Sequence, residues 1–343
     1  MSLIPTTILT GFLGAGKTTL LKRILTEEHH QRIAVIENEI GEEDVDSEIL
    51  VTNGQEQIIQ LSNGCICCTI RDDLRSTLHD LIRRRVKGDL EFERVVIETT
   101  GLADPAPVAQ TFFLDSELSE QYLLDSVVVL VDARHGPDSL DNHLVARQQV
   151  GFADRIFITK TDLASDSEIA ALTHRLLHIN ARAPIKTVQF GEVALSEVFD
   201  LRGFNLDATL DFYPEFFDAS DERHSFETEC HEAHCDHSTH QQRHRDDVSS
   251  FVFRSQRAFD REKLGELLAA FLNNYGSRLL RCKGILDIHG SNRKVIFQGV
   301  HQLMETDFGP SWGEDEKRKS KMIFIGIDLP QDHLVRGLER CLI

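Results

Sequence analysis

The sequence contains no apolar run near the roughly eighteen residues that a membrane-crossing helix requires, and its N-terminus has no basic segment followed by a cleavage site. Export and membrane insertion are therefore not expected, and the chain reads as cytoplasmic. Basic residues are in deficit, 37 against 56 acidic ones, for a formal charge of -19. Such a balance repels nucleic acid and anionic lipid, excluding both as partners, and favours cations. The deficit is sharpest between Arg32 and Arg71, where no Lys or Arg occurs while Glu37, Glu39, Glu42, Glu43, Asp44, Asp46, Glu48 and Glu56 do.

What is present suffices for a core: 41% of the 343 residues are hydrophobic. That length implies one large domain and one smaller one. Short β-branched runs alternate with helical patterns, the rhythm of a parallel sheet built from crossover units. Strands are expected over Ile4 to Leu9, Ile33 to Glu37, Gln57 to Leu61, Arg94 to Thr99, Ser126 to Val131, Arg155 to Thr159 and Ile185 to Gln189. Helices are expected after Lys17, Arg71, Asp104, Asp141 and Asp166, with Asp104-Pro105 offering a cap and a first-turn proline. Periodicity fades from Asn205 to Asp247. Beyond it, strands at Val248 to Arg254, Leu279 to Ile288, Arg293 to Val300 and Lys321 to Ile327 accompany helices at Arg261 to Asn273 and from Gln331. The expected class is α/β, a P-loop NTPase with a mostly parallel central sheet, plus a small C-terminal α+β domain. The expected boundaries are 1–204, a linker over 205–247, and 248–343.

Gly11-Phe12-Leu13-Gly14-Ala15-Gly16-Lys17-Thr18 lies between an apolar strand and a helix start, the context a P-loop needs. Gly11, Gly14, Ala15, Gly16, Lys17, Thr18 and Thr19 are the candidate phosphate contacts. The glycines let amide groups converge on phosphate, Lys17 neutralises its charge, and the Thr18 hydroxyl suits Mg2+. A second phosphate element is expected at Val95 to Gly101: Glu98 can hold Mg2+ through water and the Gly101 amide can sense the terminal phosphate. Lys17, Thr18 and Glu98 are thus the candidate catalytic groups.

Thr159-Lys160-Thr161-Asp162 follows an apolar strand, where a carboxylate at Asp162 can accept from guanine N1-H and the 2-amino group. Adenine offers neither donor, so GTP is favoured over ATP. The Lys160 stem can cover the ring. Thr159 stands where many GTPases carry Asn, and its hydroxyl is not expected to supply the amide's bridge. Asn180 is a further candidate base contact.

Cys65-Ile66-Cys67-Cys68 places three thiols within four residues before a helix. In a long reduced chain this points to a soft metal ion, with one more donor completing a tetrahedral set. Glu37 and Glu42 are the candidate carboxylates, although spacing does not choose between them. Buried structural cysteines or a redox pair are the alternatives. His224, His231, His234, His237, His240 and His244, with Cys230 and Cys235, fall within 21 residues. That tract reads as a multidentate metal buffer or as a solvated linker.

Together, Gly11 to Thr18, Glu37-Asn38-Glu39, Gly64 to Cys68, Glu98 to Gly101 and Thr159 to Asp162 resemble the CobW family of GTPases over nearly the whole chain. The resemblance implies GTP hydrolysis coupled to metal transfer, metal held by the three cysteines, a phosphate role for Arg71, and zinc, or cobalt or another transition metal, as the ion. The expected partners are GTP, the ion and a client metalloprotein, with self-association left open. A metal store or sensor with vestigial GTPase activity, and an ATP-using kinase or ligase with structural cysteines, are the rival readings.

Overall fold

The computed structural model describes residues 3–26, 31–37, 57–60, 70–204, 247–313 and 316–343. Seven parallel strands form the first sheet: β1 (Ile4–Gly11), β2 (Ile33–Glu37), β3 (Gln57–Gln60), β4 (Arg94–Glu98), β5 (Tyr122–Asp132), β6 (Arg155–Thr159) and β7 (Ile185–Val188). Their order is β3-β2-β4-β1-β5-β6-β7. The apolar runs on β2, β4 and β5 are buried along almost their whole length, as strands covered by helices on both faces must be. Because β1 sits between β4 and β5 and all strands run in one direction, the loops leaving β1, β4, β5 and β6 open at one edge of the sheet.

Helices α1 (Lys17–Thr26), α2 (Ile70–Lys87), α3 (Pro105–Leu114), α4 (Ser116–Ser119), α5 (Gly136–Asn142), α6 (Leu144–Phe152) and α7 (Asp166–Ile179) connect the strands. Asp104 caps α3 as expected, its carboxylate accepting from the Ala106 amide at 2.9 Å. The helix expected after Asp141 is α6, and α5 before it is an addition to the sequence expectation. His143 takes an extended backbone, φ -129°, that breaks the run between α5 and α6. Ser165 and Glu168 form a reciprocal capping box at the start of α7.

The second sheet is antiparallel in every pairing and ordered β11-β10-β9-β12-β8. It comprises β8 (Val248–Ser255), β9 (Leu279–Leu286), β10 (Arg293–Val300), β11 (Leu303–Ser311) and β12 (Ser320–Ile327), with helices α8 (Arg261–Tyr275) and α9 (Gln331–Arg340). Strand β11 is an addition to the sequence expectation. Leu264, Leu268, Phe271, Leu334 and Leu338 seal one face of this sheet. The other face meets the first unit: Val248, Leu280, Val300, Ile323 and Ile325 share a core with Phe152, Ala153 and Ile179.

A buried polar knot joins the two units. Asp154 is paired with Arg281 at 2.8 Å and Arg182 at 2.7 Å, and Lys283 donates to the Gly203 carbonyl at 3.1 Å. Burial alone would raise the Asp154 carboxyl, but Arg281 and Arg182 outweigh it and hold the group below the usual carboxylate range. Burial also drives Lys283 well below an ordinary lysine, and the Arg182 and Arg281 charges beside it push in the same direction against Asp154.

Candidate functional site

The glycine-rich loop between β1 and α1 is shaped by close approach. At Gly11, φ is 144° and a Cβ would stand 2.4 Å from the Leu130 carbonyl oxygen, so no side chain fits. Gly14 and Gly16 also take positive φ, 73° and 97°, turning successive amides to one side. Lys17 Nζ arches over the loop to donate to the Gly11 carbonyl at 3.0 Å. Its ammonium is therefore held against the loop backbone, from where it can neutralise a phosphate group.

β4 is fastened to β1 just below this loop. The Thr99 hydroxyl donates to Thr10 Oγ1 at 2.7 Å and the Thr99 amide to the Leu9 carbonyl at 3.0 Å. This brings Glu98 to Thr18, whose hydroxyl donates to Glu98 Oε1 at 3.3 Å. A hydroxyl and a carboxylate at the mouth of a phosphate-binding loop are the hard oxygen donors that Mg2+ takes. Gly101 is buried, and a Cβ there would lie 2.6 Å from the Leu13 nitrogen. The turn after β4 therefore touches the phosphate loop backbone itself.

Thr159, Lys160 and Asp162 leave β6 beside the same loop. The Thr159 hydroxyl donates to the Ala15 carbonyl at 2.8 Å, so threonine does bridge to the phosphate loop, contrary to the sequence expectation. A short side chain suffices because the end of β6 passes directly behind Gly16, whose Cβ position is 3.9 Å from Thr159 Cγ2. Lys160 takes a left-handed backbone, φ 54°, and its ammonium pairs with Asp132 at 2.8 Å. Asp132 ends β5 and also accepts from the Arg134 and His135 amides, at 2.7 and 2.9 Å. Burial opposes ionisation there, yet the Lys160 ammonium and these amides keep the carboxyl below the usual range. Asp162 is exposed on the 3-10 turn Thr161–Leu163, and Gln189 donates to Thr161 Oγ1 at 3.1 Å.

Asp132 was not anticipated. The signal was available, for it is an acidic residue closing an apolar run in the same manner as Glu98. Asn180 is corrected: it is wholly buried, donating to the Val150 and Ala153 carbonyls at 2.8 and 3.0 Å and accepting from the Arg182 and Ala183 amides. Its polarity is spent on the C-terminal end of α6 and on the turn before β7, so it does not read a base.

Glu37 is buried at the end of β2 in parallel register with Glu98. Cys65, Cys67, Cys68 and Glu42 lie outside the described residues, as do the side chain of Arg71 and the histidine tract. Among the described residues no group of three or more metal-binding side chains occurs, and no helix is long and apolar enough to cross a membrane.

Residues 5–187 match the family model described as CobW/HypB/UreG, nucleotide-binding domain, and residues 248–342 match the cobalamin synthesis protein cobW C-terminal domain. The chain is 42% identical over 97% of its length, and 97% of the relative's, to the zinc chaperone YjiA of Escherichia coli. It is 32% identical, over 88% of its length and 76% of the relative's, to the zinc-regulated GTPase metalloprotein activator 1 of Schizosaccharomyces pombe. Among solved structures, the Zn(II)-bound YjiA GTPase from E. coli superposes with a TM-score of 0.79 at 38% identity, covering 100% of both chains.

Proposed function

The chain belongs to the CobW/HypB/UreG family of nucleotide-binding proteins, and from that premise we propose that it is a GTP-hydrolysing zinc chaperone that passes its ion to a client metalloprotein. One observation carries the coupling between nucleotide and metal. Glu37 and Glu98 end neighbouring strands in register, so a candidate metal carboxylate and the carboxylate that meets Thr18 share one edge of one sheet.

In this reading the amides of Gly14 to Thr18 and the Lys17 ammonium hold the GTP phosphates, with Thr19 and Arg71 beside them. Thr18 and Glu98 would hold Mg2+, which when bound supplies positive charge to the phosphate oxygens. The amide of Gly101 faces the terminal phosphate. Asp162 accepts from the guanine edge while Lys160, steadied by Asp132, covers the ring. Zinc is cargo, taken by Cys65, Cys67 and Cys68 with Glu37 or Glu42 as the fourth donor. Thiolates and one carboxylate form a set of the softness and number that tetrahedral zinc accepts. The division into a GTPase unit over 1–204, a linker over 205–247 and a C-terminal unit over 248–343 belongs to the same proposal.

A metal can respond to nucleotide only if its affinity differs between the two nucleotide states. The test is zinc affinity measured with a non-hydrolysable GTP analogue and with GDP. A difference of tenfold or more is expected. Equal affinities would refute the coupling, and ATP binding as tight as GTP binding would refute the guanine assignment.

A further inference from the structure

Gln149 is a fully buried amide in the middle of α6, only 1% exposed. Its nitrogen donates to two carbonyls of the turn that follows β4, Gly101 at 3.1 Å and Ala103 at 3.0 Å. The neighbouring Gln148 reaches Asp104 Oδ2 at 3.4 Å. Buried carbonyls require donors, and here one side-chain nitrogen from an element 46 to 48 residues away supplies both. The same turn is closed on its other side by the phosphate loop, because Gly101 leaves no room for even a Cβ against Leu13. The Gly101 turn is thus clasped between the phosphate loop and α6.

Two residues after Gln149, the same short helix meets the second sheet through a residue with no side chain. A Cβ on Gly151 would stand 2.8 Å from Leu280 Cδ1, 3.0 Å from Val248 Cγ1 and 3.4 Å from Ile325 Cγ2. These residues belong to β9, β8 and β12. At the end of the helix, the Phe152 carbonyl accepts from Arg281 of β9 at 3.0 Å. A helix of nine residues does not bend appreciably, so a shift of the turn at one side either breaks both Gln149 bonds or moves the face that bears Gly151.

We propose that Gln149 is a positioning residue for GTP hydrolysis: it holds the Gly101 turn in place and makes α6 the element through which the nucleotide state reaches the C-terminal sheet. The inference rests on the reading of Gly101 as the residue facing the terminal phosphate. A displaced turn carries two carbonyls bonded to a single nitrogen, and the Gly151 contact with three strands passes that displacement onward.

The test uses the full chain and Gln149→Met, which keeps the length of the side chain and removes the donor, with Gln149→Glu as a second variant of preserved volume. Affinity for a non-hydrolysable GTP analogue is expected to fall about tenfold, with GDP affinity changed less than twofold and kcat reduced. Amide hydrogen exchange in β8, β9 and β12 is expected to differ between the analogue-bound and GDP-bound wild type. That difference should vanish in Gln149→Met at saturating nucleotide. A merely structural role would lower Tm and weaken both nucleotides alike, which overturns the proposal. So does an exchange difference that survives the substitution, or its absence from the wild type. The wild-type comparison still decides if neither variant folds. Gly101→Ala separates the two layers: unchanged affinities there defeat the reading of Gly101, whereas a selective loss there with none in Gln149→Met defeats only the present inference.

Discussion

Lys160 Nζ lies 2.8 Å from Asp132 Oδ2, tying the ends of two adjacent parallel strands together across the mouth of the candidate nucleotide site. The lysine would otherwise sample many rotamers, and its left-handed backbone is costly for a residue with a side chain. Asp132→Asn removes the ion pair while keeping the shape. GDP affinity should fall roughly tenfold, in line with about 1.5 kcal/mol for a hydrogen bond to a charged group. Isothermal titration measures it, and an unchanged Kd would remove Asp132 from the site.

Asp162 should set base choice by its acceptor character. Asp162→Asn replaces one acceptor with a donor, which mismatches the guanine 2-amino group but suits the 2-carbonyl of xanthine. Competition between the two diphosphates should therefore move toward xanthosine by tenfold or more. Retained guanine preference would show that the base is read elsewhere.

Thr159→Val is nearly isosteric and deletes the bond to the Ala15 carbonyl. The expected cost is about 1 kcal/mol in urea unfolding, with weakened nucleotide binding because the phosphate loop loses a support. Thr159→Ser, which keeps the hydroxyl, should restore much of the binding.

Asp154 is the carboxylate paired with both Arg281 and Arg182 in the polar knot between the two units. Asp154→Asn leaves those cations without their counter-charge and should destabilise the protein by about 3–5 kcal/mol near neutral pH. The sign of the pH dependence follows from the carboxyl lying below its ordinary value of 3.8 in the folded state. Its contribution is complete above that value and is lost as pH falls through the lower folded-state value. The stability gap between wild type and variant should therefore stay flat at neutral pH and close in acid. A gap that grew on acidification would contradict the pairing.

Cysteine reactivity should divide the chain. Burial pushes the Cys282 thiol up to about 12, the opposing effect of Arg281 being smaller. Iodoacetamide at pH 8 should leave it untouched in the folded protein and label it after denaturation. Cys65, Cys67 and Cys68 should react in the metal-free protein and be protected by zinc, as read by mass spectrometry of the digested peptides.

The sequence by itself determined the seven strands of the parallel sheet, because a strand buried on both faces must be apolar throughout, although β5 begins at Tyr122, four residues before the expected Ser126, where Asp125 interrupts the apolar run. It also determined the phosphate loop, whose glycines answer a local demand for positive φ and close approach. Strand β11 escaped notice because an edge strand with four consecutive exposed residues, Glu305 to Phe308, has no buried face to impose alternation. Helix α5 is not legible because Gly136–Asn142 has Leu140 as its one buried apolar side chain and so shows no periodicity. Only the tertiary structure decided what the polar residues do. Asn180 looked like a ligand contact and is a buried loop clamp. Thr159 looked deficient and bridges to Ala15. Asp132 and Gln149 act on partners 28 and 48 residues away. The physical reason is one of range: hydrophobic periodicity and glycine conformation are written in neighbouring residues, whereas a hydrogen bond between distant segments exists only once the sheet has brought its strand ends to one edge.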